Sequence, residues 1–164
     1  MLTDHPRYAI AIREARKTYI GLMSEAESIY RSSFANAAAL ISDSSVALKA
    51  AHASVILGGT LLAEALRTCE AALSSYEMSQ ETNIDPVMTC LAYVEIGLEM
   101  NSMQLQRHRA ALVKCRLANE VGADSYNSTL GEIVEREKYI AMVKEKVTTS
   151  FVWFVNEAKS RKSS

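Results

Sequence analysis

The sequence predicts an all-α protein, an elongated antiparallel up-down-up-down four-helix bundle with long helices. Three observations carry that expectation. Apolar residues recur at 3-4 spacing through four long segments, the period of a helix that buries one face. The only prolines are Pro6 and Pro86, and each follows a helix-start signal. No comparable stretch alternates apolar and polar residues with period two, so no sheet is expected.

The first helix, about 4–41, begins at Thr3 or Asp4 with Pro6 in its first turn. Its seam reads Tyr8, Ile12, Ala15, Tyr19, Leu22, Ala26, Ile29. Ser42-Asp43-Ser44-Ser45 breaks the pattern as a turn. The second helix, about 44–81, carries Leu48, Val55, Leu62, Leu66, Cys69, Leu73 and Tyr76. Asp85 then acts as N-cap with Pro86 at the first helical position. The third helix, about 86–121, presents Val87, Leu91, Val94, Leu98, Asn101, Leu105, His108, Leu112 and Cys115. Gly122 suits the left-handed residue that ends it. The fourth, about 124–160, presents Tyr126, Leu130, Ile133, Glu137, Ile140, Val147, Phe151 and Phe154. Thr129-x-x-Glu132 is an alternative start for this helix. Each helix would run for roughly 35 residues, about 50 Å. Short turns make neighbours antiparallel, and residues 1–164 form one domain.

Composition excludes several classes. The chain is 49% hydrophobic with a formal net charge of -1, which does not suit disorder. That balance gives no global reason to bind nucleic acid. Three cysteines make no disulfide framework, and they point to a reducing compartment, the cytoplasm. No apolar run follows a basic start, so no secretory signal is expected. The most apolar stretch, Val46 to Leu66, contains Lys49, His52 and Glu64 and reads as a buried helix rather than a membrane span.

Motifs for chemistry are sparse. No glutamate is followed by histidine three residues on, which excludes the di-iron arrangement of carboxylate bundles. Cys69, Cys90 and Cys115 lack Cys-x-x-Cys spacing, so no metal and no cofactor are expected. Gly58-Gly59 has neither the Walker nor the dinucleotide spacing. No catalytic constellation emerges, and the chain reads as a non-enzyme.

Polar residues in the seams supply one candidate site. A turn near residue 122 sets His108 opposite Glu137. A turn near residue 83 sets His108 level with Gly59, and His52 level with Cys115. Glu27 of the first helix falls near the same layer. A glycine inside a helix costs about 1 kcal/mol relative to alanine, so Gly58 and Gly59 call for an offsetting reason, such as a close crossing, a kink or room for a ligand. His108, Glu137, Gly58, Gly59 and Glu27 are therefore read in three ways: a buried pair fixing register, residues drifted to the surface, or a small-ligand site.

Charge and aromatics supply the other. Thr68 to Gln106 contains no Lys or Arg, while Arg7, Arg13, Arg16 and Lys17 begin the first helix and Lys159, Arg161 and Lys162 end the fourth. One end of the bundle is thus expected to be split into a basic and an acidic side. Phe151-Val-Trp-Phe-Val155 covers more than half of a helix circumference. Phe151, Trp153 and Phe154 then either close that end or present a patch to a partner. The leading functional expectation is a non-enzymatic protein–protein interaction or assembly module, self-associating or docking a partner through Trp153, Phe151, Phe154, Arg13, Arg16, Lys17, Lys159 and Arg161. The alternative is a ligand-binding sensor using the mid-bundle polar layer.

Overall fold

The computed structural model describes residues 2–34, 42–80 and 82–163. Regular structure among them is entirely helical: a 3-10 turn at Leu2–Asp4, then α1 (Pro6–Phe34), α2 (Asp43–Met78), α3 (Asp85–Leu117) and α4 (Ala123–Ser163). The expected extension of the first helix over 35–41 lies outside the described residues, as does residue 81.

Local chemistry explains the boundaries. Ser42 caps α2, its Oγ accepting from the Ser45 N–H at 3.2 Å. At α3 the cap differs from expectation. Asn83 Oδ1, not Asp85, accepts a backbone N–H, that of Asp85 at 3.1 Å, and the Asp85 carboxylate instead pairs with Arg7 at 2.5 Å. The end of α3 differs too. Asn119, not Gly122, adopts the left-handed conformation, with φ 55°. Its N–H reaches the Arg116 carbonyl at 3.1 Å and the Glu120 N–H reaches Cys115 at 2.9 Å, the paired bonds of a Schellman motif. Asparagine tolerates that conformation better than other non-glycine residues, so α3 stops four residues short of the expected end. The fourth helix starts at Ala123, ahead of Thr129.

The four helices pack together, and α3 lies against each of the other three. Fourteen of its residues are buried, against five on α4. The core therefore follows α3: Val87, Leu91, Val94, Leu98, Leu105 and Leu112 join Leu62, Cys69 and Tyr76 of α2 and Ile133, Ile140 and Phe154 of α4. Residue pairs give the register. Between α1 and α3, Arg7 meets Asp85, Arg16 meets Glu99 and Glu27 meets Arg107, the numbers rising together. Between α2 and α3 they run oppositely: Ser44 meets Cys115, His52 meets His108 and Val55 meets Asn101. His52, not Gly59, is therefore the ring beside His108, and Cys115 gives its S–H to the Ser44 carbonyl rather than meeting His52.

Two seams depart from expectation. On α1, Tyr8, Ala15, Tyr19 and Met23 are buried, whereas Leu22 and Ile29 are 40% and 60% exposed. A straight helix at 3.6 residues per turn drifts off a seven-residue repeat, so Met23 takes the inward place expected for Leu22. The second departure is α2, which is not the buried helix expected for Val46 to Leu66. It is long and apolar enough by length and composition to cross a membrane, and 22% of its most apolar 18-residue window is buried. Ala50, Ser54, Gly58 and Leu62 form its inward stripe at four-residue intervals. Small side chains there let α2 approach its neighbours closely, which leaves larger residues such as Ile56 outside, 57% exposed.

Gly58 marks the closest approach. A Cβ there would lie 2.0 Å from Gln104 Oε1 and 2.8 Å from Asn101 Nδ2. Both amides are buried and bonded, so they cannot move without breaking those bonds. Gly58→Ala should lower stability by about 1–2 kcal/mol, because the clash outweighs the better helix propensity of alanine. Gly21→Ala, where nothing lies within 4 Å of the new atom, should raise it by about 0.5–1 kcal/mol. Urea denaturation of both variants checks the contrast.

Candidate functional site

The middle of the fold is polar, with a different membership from that expected. Asn101 is fully buried, and its Nδ2 donates to the Val55 carbonyl at 3.3 Å and to Gln104 Oε1 at 3.0 Å. Gln104 Nε2 in turn donates to the Met23 sulfur. Arg136 Nη2 reaches Asn101 Oδ1 at 3.4 Å. Ser54 Oγ donates to Glu27 at 2.8 Å, and Arg107 lies 3.7 Å from the same carboxylate. All four helices meet through the two amides around Gly58, and Glu27 adds a second contact on the α1 side.

Of the expected site residues, Gly58 and Glu27 belong to this layer, whereas His108 and Glu137 do not pair. Glu137 is about half exposed on the surface and bonds Arg109. Its neighbour Arg136 takes the inward flank beside Ile133, because a seam stepping 133–140 leaves position 137 on the outer edge. His108 is buried and stacks on His52, ring centroids 5.1 Å apart and planes at 30°. Gly59 lies beneath Arg136, where a Cβ would sit 2.6 Å from Nη2.

Because α4 makes its main contacts along α3, a groove opens between α2, α3 and α4. Its volume is about 460 Å³. Val55, Ile56, Ala63, Leu105 and Ile133 supply apolar lining, with Gly59 at one side. The charged and titratable lining is Arg67, Arg136, Glu132, His52 and His108. Arg136 is held by neutral groups, Asn101 Oδ1 and the face of Tyr139, whose centroid lies 4.8 Å from the guanidinium carbon. Among the described residues no carboxylate lies within ion-pair distance of Arg67 or Arg136. His108 Nδ1 is buried without a hydrogen-bond partner among them. Burial, and then the neighbouring His52, push the His108 imidazole below its ordinary range, against a smaller opposing pull from Glu132. Such a lining can receive a small molecule that presents both apolar surface and a polar head.

A larger groove of about 540 Å³ lies between α1, α3 and α4, over Leu91, Leu98, Ile140 and Val147. Its carboxylates and Tyr8 are already engaged. Tyr8 donates to Glu95, with burial and that bond raising the phenol well above the usual tyrosine range, and Glu99 holds Arg16 at 3.1 Å. Of these two grooves, the smaller is the one lined by arginines that no carboxylate pairs among the described residues. Among the described residues no group of three or more His, Cys, Asp or Glu side chains is placed to hold a metal ion.

The expected partner surface is largely used internally. Phe154 is fully buried and meets Tyr76 edge-on at 5.0 Å. Phe151 packs on Tyr8 at 6.0 Å. Arg161 lies 3.9 Å over the Tyr76 ring and donates to the Tyr76 carbonyl at 2.6 Å. Arg16 holds Glu99, and Arg7 holds Asp85, so the charge-split end is partly paired within the chain. Trp153 is 39% exposed, and Arg13, Lys17 and Lys159 face solvent. Arg136, Glu132 and Arg67 are the groove residues that sequence reasoning missed. The glycine pair was the one local signal for them.

Comparison with protein-family models, with curated proteins and with solved structures finds no match.

The depressed histidine gives a pH prediction. The unfolded chain takes up a proton near the ordinary value of 6.5, and the folded chain does so only at lower pH. Stability from this group is therefore complete above about pH 6.5 and declines as pH falls below it. Thermal unfolding between pH 8 and 5 should show a steeper acid-side decline for the wild type than for His108→Gln. Equal slopes would remove His108 as the cause.

Proposed function

We propose that the protein is a non-enzymatic, cytoplasmic up-down-up-down four-helix bundle that binds a small ligand in the groove between α2, α3 and α4. The observation that carries this reading is a groove lined by His108 and by two arginines that no carboxylate pairs among the described residues. A bound anion would pair those arginines against the His108 ring that lines the same groove. The opposed register of α2 with α3, together with the short connections at 79–84 and 118–122, supports the bundle topology. The free thiols Cys69, Cys90 and Cys115 support a reducing compartment.

Assembly is a second reading, favoured by one observation. Val152 and Trp153 are 50% and 39% exposed side by side on α4, while the aromatic residues flanking them are committed to the core. On this reading the partner is a second copy of the chain or another protein, and Val152 and Trp153 form the contact.

Native mass spectrometry with a metabolite panel tests the first reading. A one-to-one adduct that His108→Ala abolishes is expected, and Gly59→Ala, which displaces the flexible Arg136 tip, should weaken it while leaving the free protein stable. No adduct and no thermal shift across the panel would overturn the reading. For assembly, Val152→Ser with Trp153→Ala should reduce any oligomer at unchanged helicity. Phe154→Ala should instead destabilise the fold by about 3–5 kcal/mol, as expected for a buried aromatic.

A further inference from the structure

We infer that the groove takes a small monocarboxylate with an apolar body, its carboxylate held by Arg136 and its body lying along Val55, Ile56 and Leu105. This rests on the reading of the groove as a ligand site and adds the class of ligand. The first reason is charge. Arg67 and Arg136 line the groove against the single carboxylate of Glu132, so the fixed charges leave one positive charge in excess. One negative charge on the ligand balances it, and a second would face Glu132. The second reason is geometry at Arg136. Its guanidinium is positioned by an amide oxygen at 3.4 Å, by the Tyr139 ring and by the missing side chain of Gly59. Neutral partners orient the planar fork without consuming its charge, and such a fork matches a carboxylate through paired hydrogen bonds.

His108 supplies the third reason. Its ring lines the groove and burial holds it toward the neutral form, so it adds a polar edge beside the carboxylate without adding a full charge. Apart from Thr60 and His52, the remaining lining is aliphatic or small, which suits an acyl or aryl body. A free phosphate would leave that apolar lining uncovered, and an amine would meet two guanidinium groups.

Calorimetric titration of the full chain at pH 7.5 with octanoate, octanol, octylamine and inorganic phosphate tests the assignment. Octanoate should bind one-to-one, and the other three should bind at least about tenfold more weakly. Arg136→Met should weaken octanoate by about tenfold or more, in a free protein that still unfolds cooperatively but at a lower temperature because Asn101 Oδ1 loses its donor, and Arg136→Lys should fall between the two. Thr60→Trp, which places bulk on the exposed rim of the groove, should block binding. Octanol binding as tightly as octanoate, or octanoate indifferent to Arg136→Met, overturns the carboxylate assignment. In either case sensitivity to Thr60→Trp would leave the groove standing as a ligand site. Octanoate binding unaffected by Thr60→Trp would be surface adsorption and would also overturn it. Silence from all four probes overturns the assignment, and the native-mass screen then decides separately whether the groove binds anything.

Discussion

A helix enclosed by three others must satisfy every polar group it carries from within, and α3 works under that constraint. Its first half is apolar on several sides, from Val87 to Leu98. Its second half brings Asn101, Gln104 and His108 into the interior. Each needs a partner because a buried polar atom without one is costly. Asn101 finds a backbone carbonyl on α2, Gln104 finds a sulfur on α1, and Arg136 reaches in from α4. One short stretch of α3 thereby sets the relative heights of all three neighbours. Apolar packing alone tolerates slippage along a seam, whereas directional amide bonds do not.

The glycine pair follows from the same constraint. Gly58 removes the side chain that would collide with the two amides, and Gly59 removes the one that would collide with Arg136. The helix-propensity cost of two adjacent glycines is offset by bonds that a larger residue would exclude. Arg136 is then held beside α2 without an acidic partner, and the groove beside it exists because α4 leans on α3 rather than on α2.

Much of this was legible in the sequence, and the pattern of what was not is physical. All nine residues of the expected α3 seam, from Val87 to Cys115, are buried. A helix enclosed on several sides forgives phase errors, so its seam could be read directly. The narrow seams of α1 and α4 could not. Leu22, Ile29 and Glu137 fell on the wrong side of a one-residue drift. The glycine pair called for an offsetting reason, a close crossing, a kink or room for a ligand, and Gly58 lies in close approach to Asn101 and Gln104, with Glu27 bonded to Ser54 nearby. The identity of the ring beside His108 depended on hairpin register, which loop geometry fixes and spacing arguments only approximate. Arg136 and Glu132 were hidden because charged residues next to a seam look the same whether they point outward or along a groove. Phe154 and Arg161 show the converse: an aromatic, cationic terminus that suggested a surface instead closes the end of the core on Tyr76.

The place of α3 in the chain has a kinetic meaning. The helix around which the others gather is third in order, so the residues before Asp85 have no centre on which to condense until it is available. The nearest stable pairing joins α2 to α3 across a short connection, where little loop entropy is lost. Addition of α1 requires closure over the whole length of α2, as the Arg7–Asp85 pair spans seventy-eight positions. On loop entropy alone, α2 and α4 both join α3 across short connections, and α1 is the helix with the costliest closure.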